Sequence, residues 1–271
     1  MPSTLFIKRT LLFAVVVMLL ASCDVVRVLA KVSNENAVYQ QWTNQQGKQV
    51  VFIPMVHIGK PAFYENVRKS VTSLKQQGYI LFYEIVSREV PDSALTPTMV
   101  ANYIDYPAFP IIPQDSLAKL IYLLKFRKIA GGYLPGLSTY DAIVDQQPIL
   151  SSLTAQPRET LLGGSETDKN ADVSFFQLVR QYENEKGEIV LNEEDFATPL
   201  NKSVPAIAGF SDINHLIIDF RDDHLARSIH ASDSSKIVVM FGLAHMKGTF
   251  DKLKGLDASW QITKRSRNIF R

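Results

Sequence analysis

The apolar positions of this chain form two strand-length runs that end alike. Residues 50–56 and 236–244 are rich in Val, Ile, Met and Phe, and they lead into His57 and His245, each with a glycine close behind. Apolar, β-branched runs of this length are typical of buried strands. In open α/β sheets the functional side chains lie at the carboxyl ends of strands. The two histidines therefore predict one site assembled from distant parts of the chain.

The segment after His57 predicts a helix and then a second strand. Pro61 opens a helical pattern that Gly78 closes, and residues 79–86 form another apolar run. A strand, helix and strand of this length form a crossover between parallel strands, whose carboxyl ends share one edge of the sheet. We therefore expect His57 to lie close to Glu84, near the end of the second strand. An ionised carboxylate in such an apolar run needs a partner or a cation.

A long helix over residues 211–230 contains one arginine among apolar residues. At about 100° per residue, the apolar side chains form one arc that includes Arg221. Arg221 is therefore predicted to point inward. His215, Asp219 and Asp222 fall outside or at the edge of that arc, so we interpret them as solvent-exposed residues rather than as a local metal site.

The pattern over residues 90–200 is weaker and predicts a helical insertion or lid. Residues 115–128 form an amphipathic helix whose basic face is either solvated or in contact with an anionic membrane surface. Asp172 is a candidate cap of a helix that runs to Tyr182. We expect the insertion to shape substrate access, and no residue in it stands out as catalytic.

The N-terminal residues predict a lipid-anchored protein of the cell envelope. Lys8 and Arg9 precede a short apolar stretch that ends in Leu-Ala-Ser-Cys, with the cysteine at position 23. This ending resembles a bacterial lipobox, which implies cleavage before Cys23 and a lipid on its sulfur. The alternative that remains open is an ordinary signal peptide or membrane anchor. Since Cys23 is the only cysteine, no disulfide can form within the chain.

The resulting organisation is a signal peptide (1–22), a tether (23–45) and one α/β domain (46–271). Removal of residues 1–22 takes away two basic residues and no acid, so the formal net charge falls from +2 to 0. A neutral chain gives no indication of a nucleic-acid partner. We expect the mature protein on the periplasmic or other extracytoplasmic side of a membrane, to which Cys23 attaches it.

The order of these motifs resembles that of the TraB/GumN family, which includes the Tiki-like metalloproteases and is related to the erythromycin esterases and ChaN-like proteins. The motifs are the strand that ends at His57, Glu84 after the next strand, Arg221-Asp222 within a helix, and Gly242-Leu243-Ala244-His245 after the last buried strand. The resemblance covers the chain from about Val50 onward, except for the middle. Pro54 stands where the family's first motif has a glycine, and Asp222 stands where asparagine is common.

The resemblance implies a mixed, largely parallel sheet with flanking helices and a helical insertion between its two halves. It also implies a divalent metal, Mn, Zn or Fe, held by His57, Glu84 and His245, a sufficient ligand set for these ions. A metal-bound water would be the nucleophile of a hydrolase, such as a peptidase. Glu84 and Arg221 would be catalytic, with Arg221 at an oxyanion or a substrate carboxylate. In a metal-free variant, one histidine is the general base and Glu84 orients it.

Two alternatives to a metal-dependent hydrolase remain open. One is a lipoprotein that binds iron, haem or a peptide signal without turnover. The other is an envelope protein with a decayed site, which Pro54 indicates because a proline alters the backbone just before His57. A hydrolase would take a peptide or a small molecule as its substrate.

Overall fold

The computed structural model describes residues 38–91, 94, 114–132, 152–157, 165–200 and 202–266. The predicted signal peptide (1–22) and Cys23 lie outside these residues. The strands are β1 (Gln40–Thr43), β2 (Gln49–Met55), β3 (Ile58–Gly59), β4 (Ile80–Tyr83), β5 (Thr154–Ala155), β6 (Lys169–Asn170), β7 (Lys236–Gly242) and β8 (Gln261–Arg265). The helices are α1 (Pro61–Gln76), α2 (Gln114–Ala130), α3 (Phe175–Lys186), α4 (Glu193–Ala197), α5 (Phe210–Asn214), α6 (Phe220–Ala231) and α7 (His245–Leu256). A π-helical turn, His215–Asp219, joins α5 to α6.

Six strands form one sheet in the order β6-β4-β7-β2-β1-β8. The first four are mutually parallel, and β1 and β8 add antiparallel strands at one edge. This arrangement confirms the predicted α/β class with a mixed, largely parallel sheet and flanking helices. Because β7 lies between β4 and β2, its carboxyl end lies between the ends of the two earlier strands.

Helices cover both faces of the sheet because successive side chains of the central strands point to opposite sides. On one face, Val239 and Phe241 of β7 pack with Leu225 of α6. On the other face, Val238 and Met240 belong to a cluster with the buried side of α1. A strand that is buried on both faces has a continuous apolar sequence, which explains why β2 and β7 are recognisable from the sequence.

The first crossover follows the predicted course. Helix α1 begins at Pro61, whose missing N–H suits the first turn of a helix. Gly78, after the helix, has a φ of 86°, a left-handed conformation that favours glycine and turns the chain toward β4. The predicted helix and strand are therefore confirmed, and β4 ends at Tyr83, one residue before Glu84.

A second apolar core lies apart from the sheet. Helices α2 and α3 pack against each other through buried aromatic and aliphatic side chains, among them Phe126 and Phe175, whose ring centroids are 5.2 Å apart. We call α2, α3 and α4 the lobe. The lobe lies in the segment predicted as a helical insertion, although β6 of the same segment joins the main sheet.

Of the four basic residues of α2, Lys119 is exposed as predicted, but the other three do not form a solvated or membrane-facing surface. Lys125 is 2% exposed and donates to Glu183 Oε1 at 2.6 Å, and Arg127 is 1% exposed and donates to backbone carbonyls within the lobe. Lys128 forms an ion pair with Asp195. Buried charges are tolerated when they are paired, so charged positions of a helix need not mark its surface. No helix among the described residues is long and apolar enough to cross a membrane.

The folded domain begins before the predicted end of the tether at residue 45. Strand β1 lies within that stretch, and its Trp42 is fully buried against Phe52, with ring centroids 5.2 Å apart. The sequence of β1 is Gln-Gln-Trp-Thr, which has no apolar run. A single tryptophan anchors the strand, and this is why its pattern resembles a linker.

Candidate active site

Polar side chains meet at the carboxyl ends of the four parallel strands. His57 follows β2, Glu84 follows β4, Asp172 follows β6, and Gly242 ends β7 shortly before His245. Arg221 and Asp222 reach the same edge from α6. We call Glu84, Asp172, Arg221, Asp222 and His245 the site cluster.

Arg221 is the buried centre of this cluster. Its side chain is 5% exposed, its Nε and Nη2 donate to the two oxygens of Asp172 at 2.9 and 2.8 Å, and Nη2 also donates to Glu84 Oε1 at 2.5 Å. Burial acts to lower the pKa of Arg221, but the charges of Asp172 and Glu84 raise it overall. The guanidinium therefore stays charged and fixes both carboxylates. The inward direction predicted for Arg221 agrees with this position.

Glu84 is held as a carboxylate at the edge of the sheet. Arg221 donates to Oε1, and the backbone N–H of Gly242 donates to Oε2 at 2.5 Å. Burial acts to raise the pKa of Glu84, but the charge of Arg221, the Gly242 N–H and the positive charge that His245 and His57 carry when protonated together lower it. The side chain remains 13% exposed, so the ionised group borders the accessible rim of the site.

His245 lies between two carboxylates. Its Nδ1 is 2.8 Å from Asp222 Oδ1, and its Nε2 is 3.7 Å from Glu84 Oε1. Burial raises the pKa of Asp222, and the hydrogen bond with His245 offsets this effect only in part. A proton on Nδ1, donated to Asp222, leaves the lone pair on Nε2. This tautomer makes Nε2 a base that faces the Glu84 side of the cluster.

The prediction that Asp222 is solvent-exposed is wrong, since it is 2% exposed. The reason is the π-helical turn before α6, in which the Phe220 N–H donates to the carbonyl of His215, five residues earlier. One extra residue in a turn rotates the following residues by about 100° relative to an uninterrupted α-helix. A helical wheel drawn through this turn therefore places Asp222 on the wrong side.

Gly248 of α7 leaves the space that the Asp222 carboxylate occupies. A Cβ at Gly248 would lie 1.8 Å from Oδ2 and 2.8 Å from Cγ of Asp222. Thr249 Oγ1 lies 3.5 Å from the other carboxylate oxygen. Helix α7 thus supplies both the histidine and the room for the carboxylate that orients it.

His57 lies at the exposed rim of the site. Its carbonyl accepts a hydrogen bond from the backbone N–H of Gln156 at 2.9 Å, next to the β3–β5 ladder. Residues opposite each other in antiparallel strands present their side chains to the same side. Gln156 Nε2 is buried and has no hydrogen-bond partner among the described residues. A buried amide donor without a partner is costly, so Gln156 Nε2 is a polar atom that the contacts of the described residues leave unsatisfied.

The metal centre implied by the family resemblance is incomplete in this arrangement. Glu84 Oε1 and His245 Nε2 face each other, and Asp222 supports His245 as a carboxylate commonly supports a metal-bound histidine. Both Glu84 oxygens, however, already accept hydrogen bonds, from Arg221 and from Gly242. In the described part of the chain, no three His, Cys, Asp or Glu side chains form a group that could hold a metal ion. A metal ion would have to displace one of these hydrogen bonds of Glu84, and the Mn, Zn or Fe centre stays a prediction.

Comparisons with protein-family models, with curated proteins and with solved structures find no match to this chain. The resemblance to the TraB/GumN family therefore rests on its motifs and stays a prediction. What the site can do follows from the contacts of its own residues.

Two members of the site cluster have no predicted site role. Asp172 is predicted as a helix cap, but Ser174 caps α3, while Asp172 lies between buried neighbours and binds Arg221. The strand before it, β6, has two exposed polar residues and no apolar run, so the sequence gives no sign of a strand end there. Asp222 belongs to the Arg221-Asp222 motif of the family resemblance, but the helical wheel, which does not include the π-helical turn, places it at the surface.

Proposed function

We propose that this chain is a hydrolase of the bacterial cell envelope that cleaves an ester or amide bond at the site cluster. The observation that supports the proposal most strongly is the position of His245, with Nδ1 on Asp222 and Nε2 toward Glu84. A histidine that a carboxylate orients in this way is a common general base of hydrolytic sites.

In the proposed reaction, His245 Nε2 accepts a proton from a water molecule while the water oxygen attacks the substrate carbonyl carbon. The new C–O bond converts the carbonyl into a tetrahedral oxyanion, and the positive charge on His245 is balanced by Asp222 and Glu84. The oxyanion then collapses, and the bond to the leaving amine or alcohol breaks. His245 returns the proton to the leaving group, so water is the only co-reactant.

Arg221 acts in this scheme as a positioning residue. Its Nε, Nη1 and Nη2 atoms donate four hydrogen bonds, to Asp172, Ile217 and Glu84, so four of its five N–H groups are engaged within the protein. It keeps Glu84 ionised and fixed beside His245.

A metal-dependent hydrolase is the second candidate. It is favoured by one observation, the 3.7 Å spacing between Glu84 Oε1 and His245 Nε2 with Asp222 behind the histidine. Glu84, His245 and His57 would be the ligands, and the metal would supply an activated water. This candidate requires Glu84 to exchange a hydrogen bond for the ion.

The proposed location is the outer side of a bacterial membrane, with Cys23 lipidated. The support is the lipobox-like Leu-Ala-Ser-Cys that follows the short apolar stretch. Labelling of cells with a fatty-acid analogue should mark the wild-type protein and not the Cys23→Ser variant. Equal labelling of both proteins would contradict the lipid anchor.

The test of the hydrolase is turnover by the full chain, purified in detergent, on panels of chromogenic esters and peptide amides, with and without a chelator. We expect turnover that the chelator leaves unchanged. Glu84→Gln should lower kcat, because the protonated His245 loses a carboxylate that balances its charge, while Glu89→Gln, at an exposed position five residues away, should not.

Other outcomes would replace this proposal. Loss of turnover on chelation, with recovery on addition of Mn, Zn or Fe, would establish the metal-dependent candidate. Absence of turnover on every substrate, together with tight binding of iron, haem or a peptide, would support a binding lipoprotein instead.

A further inference from the structure

Three exposed apolar side chains gather at one end of the lobe. Val190, Ile207 and Phe210 are 70, 48 and 86% exposed, and they are three of the four exposed large apolar residues in the described part of the chain. Lys128 joins the first two, because its Nζ donates to the Val190 carbonyl at 3.1 Å and its carbonyl accepts from the Ile207 N–H at 3.0 Å. Phe210 opens α5 three residues later. We call these three residues the apolar patch.

The patch has acidic surroundings. Residues 183–195 contain six acids and one lysine. Two of the acids are neutralised inside the lobe, Glu183 by Lys125 and Asp195 by Lys128. Three others are exposed and lie within four residues of Val190 in the sequence: Glu188, Glu193 and Glu194. An apolar surface with an acidic border complements a partner that combines apolar anchors with positive charge, and it repels anionic lipid.

The patch and the site cluster lie along one helical path. Phe210 and Arg221 are eleven residues apart in the continuous stretch of α5, the π-helical turn and α6. At about 1.5 Å per residue, this path is about 16 Å long. An extended peptide advances about 3.3 Å per residue, so about five residues would bridge the distance.

We propose that the apolar patch is a docking site for the peptide substrate of this hydrolase, and that the substrate is a cationic amphipathic peptide. Its apolar side chains would pack on Phe210 and Val190, and its basic side chains would lie beside Glu188, Glu193 and Glu194. The bond that is cleaved would then be at least about five residues from the anchoring segment. This inference rests on the proposed hydrolase, but docking itself requires no turnover.

The probe is a fluorescent peptide of about sixteen residues with a Leu- and Lys-rich segment at one end. Fluorescence anisotropy measures its Kd, and mass spectrometry locates any cleavage. The paired change Val190→Ser with Phe210→Ser, at exposed positions, should raise the Kd at least about tenfold. Glu193→Gln with Glu194→Gln should weaken binding less and reduce its dependence on salt. Leu256→Ser is the control, because Leu256 is the fourth exposed apolar residue and lies on α7.

The readouts separate docking from catalysis. If the peptide is cleaved, the patch variants should raise KM for the peptide and leave hydrolysis of a small chromogenic ester unchanged. Binding that depends on the patch, without cleavage of the peptide or of any ester or amide in the panels, would preserve the docking site and overturn the proposed hydrolase. Equal peptide affinity of the wild type and of the Val190→Ser, Phe210→Ser variant would overturn the docking site. The docking site would also be overturned if the patch variants changed only the sedimentation of the protein with anionic vesicles or its self-association.

Discussion

Two groups of buried charged side chains in this molecule are paired in different ways. In the lobe, Lys125 and Glu183 form a 2.6 Å ion pair, and Glu183 also accepts from Arg180 and from the Ile189 N–H. In the site cluster, Arg221 holds Asp172 and Glu84. Both groups are nearly inaccessible to solvent, with side-chain exposures of 2 and 5% for Lys125 and Glu183 and of 5 and 0% for Arg221 and Asp172.

The two groups differ in whether a charged or basic atom remains accessible for chemistry. In the lobe, the charges neutralise each other between two helices, and their contacts stay within that packing. In the site cluster, Glu84 remains 13% exposed and His245 turns a ring nitrogen toward it, at the strand ends where parallel sheets keep their chemistry. A buried ion pair by itself therefore does not indicate a functional site. A buried ion pair that fixes an oriented base at the edge of a sheet does indicate one.

The largest effect should come from unpairing the charges. Arg221→Met should lower the free energy of unfolding by about 3–5 kcal/mol, because it leaves the buried carboxylates of Asp172 and Glu84 without their cation. Lys125→Met should cost less, because Arg180 and the Ile189 N–H still donate to Glu183. The double change Lys125→Met with Glu183→Leu should recover most of the loss. The double change Arg221→Met with Glu84→Leu should not, because Asp172 stays unpaired. Urea unfolding of the four variants measures this contrast.

Recovery of stability by both double variants to the same degree would contradict the comparison. It would mean that Asp172 does not depend on Arg221, despite their two hydrogen bonds.

A smaller effect is expected from two glycines of α7 that differ in what surrounds them. A Cβ at Gly248 would lie 1.8 Å from Asp222 Oδ2, whereas a Cβ at Gly255 would meet nothing within 4 Å. Gly248→Ala should therefore displace Asp222, lower stability by about 1–3 kcal/mol and reduce turnover. Gly255→Ala should stabilise the protein slightly, by about 0.4–1 kcal/mol. Thermal unfolding and kcat of the two variants measure this contrast. Equal stability and equal kcat of the two variants would show that Asp222 is free to move.

The smallest effect is a pair of opposite pH dependences within the site cluster. The pKa of Glu84 is lowered by folding, so its contribution to stability is present above its unfolded pKa, about 4.3, and is lost as the pH falls through the folded pKa. The pKa of Asp222 is raised, so its contribution is present below its unfolded pKa, about 3.9, and is lost as the pH rises through the folded pKa. Urea unfolding at a series of pH values should therefore show opposite changes of slope for Glu84→Gln and Asp222→Asn. Slopes that change in the same direction would contradict the two assignments.

Strong apolar runs and residues that end them were predictable from the sequence. The run before His57, the run before Gly242 and the helix after Pro61 determine the parallel core, and a strand end needs no long-range information to be recognised. Glu84 and Arg221 were also identifiable, because each is a charge in an apolar pattern that must find a partner.

The rest of the cluster depends on features without a local pattern. Asp172 follows a two-residue strand that exists because β4 is beside it. Asp222 is turned inward by a π-helical turn. The sequence pattern predicts a solvated Lys125, and only its ion pair with the distant Glu183 explains its burial. Each of these positions is decided by a partner that is distant in the chain or by an irregular turn, and neither changes the periodicity of the sequence.

The most direct test of the proposed hydrolase compares the turnover of two variants, His245→Gln and His230→Gln, on the best substrate found. His245 is 3% exposed and bonded to Asp222, whereas His230 lies exposed at the end of α6. We predict that His245→Gln lowers kcat by about 10²- to 10⁴-fold with its fold retained, and that His230→Gln has no effect. Wild-type turnover in a folded His245→Gln variant would contradict the assignment of His245 as the general base.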